Sequence, residues 1–115
     1  MNDLHYAEML RALRRHTDMT LDQIREAGQH GADAGWPGLT YTADAALFTE
    51  MHRDLIWTAL ADDAEELGFG NPCTFIGQFT RTDMTHSPEG FDALLAWWAL
   101  EAVGRRLADR HPSGD

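Results

Sequence analysis

The sequence predicts an all-α protein, a compact single-domain bundle of about five or six helices. Apolar residues recur at spacings of three and four along most of the chain, and residues that favour helix starts precede these stretches. No segment alternates apolar and polar side chains as a half-buried strand does. A length of 115 residues with 43% hydrophobic composition suits one domain with its own core.

The first 28 residues are expected to form a pair of helices. The first helix is predicted over about 3–16, with Asp3 as its cap and an apolar stripe of Leu4, Ala7, Leu10 and Leu13 that Tyr6 and Met9 widen. The second is predicted to begin at a capping box of Thr20 and Gln23 and to end at Gly28.

A glycine-rich loop is predicted at 28–41, because four glycines and one proline interrupt the helical pattern there. Trp36, Leu39 and Tyr41 in this loop are expected to pack against the bundle. Within the single domain the sequence therefore has three parts: the N-terminal helical pair at 1–28, the loop at 29–41 and an acidic helical core at 42–110.

The acidic helical core is expected to contain a helix break. No glycine or proline interrupts 42–67, but Leu47, Phe48, Met51 and Leu55 form an apolar face that the following residues do not continue. We therefore predict a break near 52–54, with Asp54 as the cap of the second piece. A short helix is predicted to begin at Asn71 and Pro72, and the longest helix to run from Pro88 to about Arg110.

The charge of the chain is concentrated in its middle. The sequence has 19 acidic residues against nine arginines and no lysine, and residues 31–104 carry twelve of the acids with two of the arginines. A strongly negative surface repels nucleic acids and membranes and favours partners with basic patches. Direct nucleic-acid binding is therefore disfavoured, as is a membrane-bound protein, and a cytoplasmic location is expected.

A partner-binding surface is predicted on the second piece of the central helix. Asp62, Asp63, Glu65 and Glu66 fall within about 6 Å of helix axis, a charge density similar to that of a nucleic acid backbone. The simpler alternative is a solvated helix face. Asp54 and Trp97 complete the predicted partner-binding set, although Trp97 and Trp98 could both belong to the core.

Catalytic and metal-binding motifs are absent from the sequence, so no cofactor, metal or catalytic residue is predicted. The histidines lack the spacings of zinc sites, and Cys73 is the only cysteine. One alternative is a small enzyme or metal-binding protein that uses His30 and Asp33 in the Gly28–Tyr41 loop. Another is a phage regulatory protein that self-associates through the tryptophan helix.

Residues 31–109 resemble a family of small acidic proteins from prophages and mobile elements of proteobacteria. The most specific pieces are the turn at Gly35–Gly38, Tyr41, the DLIW segment at 54–57 and the AWWALE segment at 96–101. In size and charge the chain is similar in kind to anti-CRISPR and anti-restriction inhibitors. The resemblance implies a non-enzymatic inhibitor of a bacterial defence system. The most plausible form is an anti-CRISPR protein that binds a type I effector complex and occludes its DNA-binding groove.

Overall fold

Six helices make up most of the described chain. The computed structural model describes residues 1–30, 39–77 and 88–110. Its helices are α1 (Asp3–Thr17), α2 (Leu21–His30), α3 (Thr42–Met51), α4 (Arg53–Glu66), α5 (Pro72–Gly77) and α6 (Pro88–Arg110). Helices contain 85% of the described residues, and none of these residues lies in a strand. The predicted all-α class is confirmed.

Helix α6 is the centre of the packing. Helices α2 and α3 both pack along it, and α1 contacts α4 and α6. Residues 93–100 are all buried, which is expected of a helix that other elements cover on every side. A single cluster of buried apolar residues includes members of all six helices. The predicted N-terminal pair is therefore part of this common core.

Helices α2 and α6 approach each other closely at two glycines. A Cβ atom built on Gly28 would lie 2.0 Å from the backbone nitrogen of Arg105 and 2.1 Å from the carbonyl carbon of Gly104. A Cβ atom built on Gly104 would lie 2.1 Å from the carbonyl oxygen of Ile24. Gly28 therefore does not end its helix, as the sequence had indicated; α2 continues to His30, and the glycine permits backbone contact.

Side chains cap the starts of α1, α2 and α5, whereas α3 and α4 begin without a side-chain cap. Thr20 and Gln23 form the predicted capping box, in which each backbone N–H donates to the other side chain at 2.9 and 3.1 Å. Asn71 caps α5 by accepting the Cys73 N–H at 2.8 Å. Asn2 caps α1 by accepting the His5 N–H at 2.8 Å. The prediction of Asp3 as this cap is wrong, because Asp3 is the first helical residue.

The predicted break in the central helix is confirmed. Helix α3 ends at Met51 and α4 begins at Arg53, with His52 between them at φ −127° and ψ 29°. Asp54 is not the cap of α4, because the helix begins one residue before it and His52 occupies the cap position. Arg53 ties the start of α4 to α6 through two hydrogen bonds to the carboxylate of Asp92, at 2.9 and 3.2 Å.

Two predicted apolar faces are only partly buried. Helix α1 buries Tyr6, Met9, Ala12 and Leu13, whereas Leu4 is 64% exposed. In α3 the predicted face is split, because Phe48 is fully buried while Leu47 and Met51 are about half exposed. In α1 the predicted Tyr6, Met9 and Leu13 are buried, and in α3 the neighbouring Ala45 and Thr49 are buried beside Phe48.

The glycine-rich loop is described only at its ends. Leu39 is fully buried as predicted, but Tyr41 is 73% exposed, so its predicted packing is wrong. Residues 31–38 lie outside the described part of the chain, and with them Asp33 and Trp36. The long helix runs over Pro88–Arg110 as predicted. Among the described helices, none combines the length and the apolar character that a membrane span requires.

Candidate functional site

The predicted acidic residues lie at the C-terminal end of α4. Asp62, Asp63, Glu65 and Glu66, hereafter the acidic cluster, are four of the last five residues of this helix. Ile56, Ala59, Leu60 and Ala64 form the buried face of α4. Because this face fixes the rotation of the helix, Glu65 and Glu66 are exposed while Asp62 and Asp63 lie at the edge of the core.

A Schellman motif ends the helix immediately after the acidic cluster. The Phe69 N–H donates to the Ala64 carbonyl at 2.8 Å, and the Gly68 N–H donates to the Glu65 carbonyl at 3.1 Å. Gly68 has φ +82°, a left-handed conformation that glycine adopts without strain. The motif fixes the place where α4 stops, and so holds the acidic cluster at a helix end.

The electrostatics of this helix end are unfavourable for carboxylates. The carbonyl end of a helix carries partial negative charge, which stabilises cations and destabilises anions. The last turn of α4 contains no basic residue. Helix α1 shows the opposite and favourable arrangement, with Arg14, Arg15 and His16 in its last turn. The acidic cluster therefore opposes the stability of its own helix.

The N-terminal end of α1 supplies partners that the sequence pattern did not reveal. The Met1 amino group is bonded to the carboxylate of Asp63 and lies 3.8 Å from Glu66. The His5 ring is hydrogen-bonded through Nδ1 to Asp62 at 2.8 Å. The side chain of Glu66 is nevertheless 69% exposed. Asp62, Asp63 and Glu66 face groups of this chain, and Glu65 forms no ion pair with any described residue.

A shallow acidic cavity adjoins these residues. It has a volume of about 330 Å³ and is lined by Asn2, Asp62, Glu65 and Glu66. Its lining contains only polar side chains and three carboxylates, so it suits a cationic group from a binding partner, such as a guanidinium or an ammonium.

Asp54 does not join the acidic cluster. It is exposed in the first turn of α4, at the opposite end of the helix. At 1.5 Å per residue it is separated from Asp62 by about 12 Å along the helix axis. The first turn is a favourable place for a carboxylate, so Asp54 has a structural reason for its position.

Trp97 lies in the core, and its prediction as an exposed partner-binding residue is wrong. It is 5% exposed, and its indole N–H donates to the Leu39 carbonyl at 2.7 Å. Trp98 is 4% exposed and packs edge-on against Phe75. Both tryptophans fit inside because α6 is surrounded by other helices, and neither is presented for self-association.

The residues of the proposed enzymatic alternative are not assembled in the described structure. His30 is exposed at the end of α2, and Asp33 lies outside the described residues. Across 1–30, 39–77 and 88–110, no three histidine, cysteine or acidic side chains are grouped so that they could hold a metal ion.

A histidine pair at the break between α3 and α4 was not found from the sequence. The rings of His16 and His52 both pack against Phe48, with centroid distances of 5.3 and 4.9 Å. Burial lowers the pKa of His52, and the positive potential of His16 and Arg15 lowers it further. His16 and His52 are 36 positions apart, so no helical periodicity in the sequence could have indicated that they lie close together.

Comparisons of this chain with protein-family models, with curated proteins and with solved structures found no match. The resemblance to small acidic prophage proteins therefore stays a prediction. The functional argument depends on the geometry and charge of the chain itself.

Proposed function

We propose that the protein is a non-enzymatic inhibitor that binds a basic protein surface through its acidic cluster. The observation that carries this proposal is the position of Glu65 and Glu66, two exposed carboxylates at the helix end that disfavours them, with no basic residue in the last turn of α4. An arrangement that opposes folding stability is typical of a functional site. A solvated face chosen for stability would instead carry basic residues in the last turn of α4.

The proposed partner is the DNA-binding groove of a bacterial type I CRISPR effector complex. Such a groove binds phosphates through arginine and lysine, and the carboxylates of the acidic cluster would take the place of the phosphates. Binding would then occlude the groove and exclude DNA. Opposite charges would accelerate the encounter, and contacts that form after docking would set the lifetime of the complex.

Within the acidic cluster, Glu65 and Glu66 are the first residues that a partner would meet. Both are exposed, whereas Asp63 is 19% exposed and bonded to the Met1 amino group. Replacing Asp63 by lysine would place two cations side by side and destabilise the fold. The exposed pair therefore gives the cleaner test of binding.

The experiment measures DNA binding by a purified type I effector complex in a mobility-shift assay. We expect the wild-type protein to reduce DNA binding, and the Glu65→Lys/Glu66→Lys variant to lose most of this effect. The matched control is Asp44→Lys/Glu50→Lys, which changes two exposed acids of α3 and gives the same net charge. Circular dichroism and thermal unfolding check that all variants remain folded.

Three outcomes would contradict the proposal. If the wild-type protein leaves DNA binding unchanged, occlusion of that groove is wrong. If the α4 variant inhibits as well as the wild type, the acidic cluster is only a solvated face. If the α3 control variant loses inhibition to the same extent, the net charge of the protein causes the inhibition and the acidic cluster is not a specific binding site.

A further inference from the structure

The arginines of this acidic protein fall into two groups. Eight of the nine lie in the described part of the chain. Five form ion pairs with carboxylates: Arg25, Arg53, Arg105, Arg106 and Arg110. Arg11, Arg14 and Arg15 form no ion pair with any described residue, although the chain carries 19 acidic residues. Among the eight described arginines, those without an ion pair are thus confined to one helix.

These three arginines line a single cavity. It has a volume of about 690 Å³, and its remaining lining residues are Tyr6, Ala7, Leu10, Asp18 and Met19. Three arginines against one aspartate leave a formal charge of +2 on the lining. The volume lies within the range of about 300–1,000 Å³ that is usual for small-molecule sites.

The lining changes character along the helix. The apolar residues Tyr6, Ala7 and Leu10 come first, and the arginines follow at positions 11, 14 and 15. At about 100° per residue Ala7, Leu10, Arg11 and Arg14 fall within about 100° of one another around α1, with Tyr6 and Arg15 at the two edges of this face, and Ala7 to Arg15 span about 12 Å along the helix axis. The cavity therefore has an apolar end and a cationic end.

We propose that this cavity binds a small amphiphilic anion, with a carboxylate or phosphate head group at the arginines and an apolar body against Ala7 and Leu10. Guanidinium groups bind carboxylates and phosphates through paired, charge-assisted hydrogen bonds. Tyr6 and Met19 complete the lining but are only 6% and 2% exposed, and the guanidinium groups of Arg106 and Arg110 lie over the Tyr6 ring, 5.3 and 4.9 Å from its centroid. The site is separate from the acidic cluster and does not depend on the proposed function.

A small molecule fits this site better than a partner helix does. Both ends of the cavity lie within about three turns of α1, and Asp18 closes the cationic end with a negative charge. An acidic helix that continued past Arg15 would meet this carboxylate. A single head group at Arg11 and Arg14 avoids it.

The test titrates the protein with dodecanoate and with dodecyl phosphate by isothermal titration calorimetry, below their micelle concentrations. Dodecyl maltoside serves as the uncharged amphiphile, and acetate and inorganic phosphate as head groups without a chain. We expect both anionic amphiphiles to bind at least about tenfold more tightly than every other probe and to raise the melting temperature. The tighter of the two identifies the preferred head group.

The variant Arg11→Gln/Arg14→Gln should weaken binding of the anionic amphiphiles about tenfold. Arg105→Gln is the control, because Arg105 is exposed, lies outside this cavity and pairs with Glu101. Amide NMR shifts on titration should centre on Leu10 and Met19. The double variant should also keep its effect on effector–DNA binding, which separates this proposal from the previous one.

Several results would overturn the assignment. Equal affinity for dodecyl maltoside would show that the arginines do not select an anion, and an unaffected double variant would place the ligand elsewhere. A fall in melting temperature with dodecanoate would indicate surfactant unfolding. Absence of binding by all these probes, together with binding of an acidic leucine-rich peptide, would show that the cavity is a protein-binding groove.

Discussion

Replacement of Gly28 by alanine should destabilise the protein, although alanine is the better helix former. The built Cβ atom lies 2.0 Å from the Arg105 backbone nitrogen, about 1.4 Å short of the 3.4 Å at which ordinary contact begins. Both contacting atoms belong to the backbone of α6, so no side-chain rotation relieves the clash. The helices must separate, and this separation would loosen the packing around Ile24, which is fully buried.

The magnitude follows from two opposing effects. Alanine in a helix interior gains about 1 kcal/mol over glycine. Overpacking of a core costs typically about 1–3 kcal/mol, and a clash between two backbones belongs at the upper end of this range. We therefore expect Gly28→Ala to lose about 2 kcal/mol of unfolding free energy. The melting temperature should fall by about 8 °C at about 4 °C per kcal/mol.

The measurement is urea and thermal unfolding followed by circular dichroism. Gly70→Ala is the matched control, because a Cβ atom there meets nothing within 4 Å, and it should change stability by less than about 0.5 kcal/mol. Gly104→Ala should destabilise as Gly28→Ala does, since the same crossing is obstructed. A Gly28→Ala variant at least as stable as the wild type would refute the close approach of α2 and α6.

Four further changes test other parts of the fold. The unfolding free energy of Arg53→Pro, measured with urea, should lie within about 1 kcal/mol of that of Arg53→Ala, because position 53 follows a helix break. A further loss of about 3 kcal/mol in the proline variant would mean that the helix is continuous. Thr20→Ala should cost about 1 kcal/mol through loss of the capping box, and an unchanged midpoint would contradict it. Trp97→Phe should cost about 1–3 kcal/mol by leaving a buried carbonyl without its donor, whereas a neutral result would place the indole N–H in solvent. The pKa of His52 is lower in the folded state, so the unfolded state binds more protons as the pH falls through 6.5. The unfolding free energy of the wild type should therefore fall more steeply than that of His52→Gln from pH 7.5 to 5.5. Parallel plots of unfolding free energy against pH for the two proteins would show that His52 does not contribute to this dependence.

Local signals in the sequence predicted the helix boundaries well. The Thr20–Gln23 capping box, Asn71 and Pro72 at α5 and Pro88 at α6 all act through residues close in sequence. The break at His52 was predictable because the apolar positions before and after it cannot share one face of a straight helix.

The orientation of the helices and their contacts were less predictable, because they depend on residues distant in sequence. The sequence predicts a helix end at Gly28. The close approach of Gly28 to the backbone of Gly104 explains why a glycine lies within this helix instead. The partners of the acidic cluster, His5 and the Met1 amino group, are 57 and 62 positions from their carboxylates. Arg11, Arg14 and Arg15 line one cavity and form no ion pair with any described residue, and this arrangement also depends on the packing of elements distant in sequence.

The proposed role of Glu65 and Glu66 in binding is tested most directly by the salt dependence of association. The association rate of the protein with an immobilised type I effector complex would be measured between 25 and 300 mM NaCl, for the wild type and for Glu65→Gln/Glu66→Gln. Charges are screened over about 10 Å at 0.1 M salt, so the wild-type rate should fall steeply with added salt, and the variant should show a lower rate and a shallower slope. Identical slopes for the two proteins would contradict a binding role for these carboxylates.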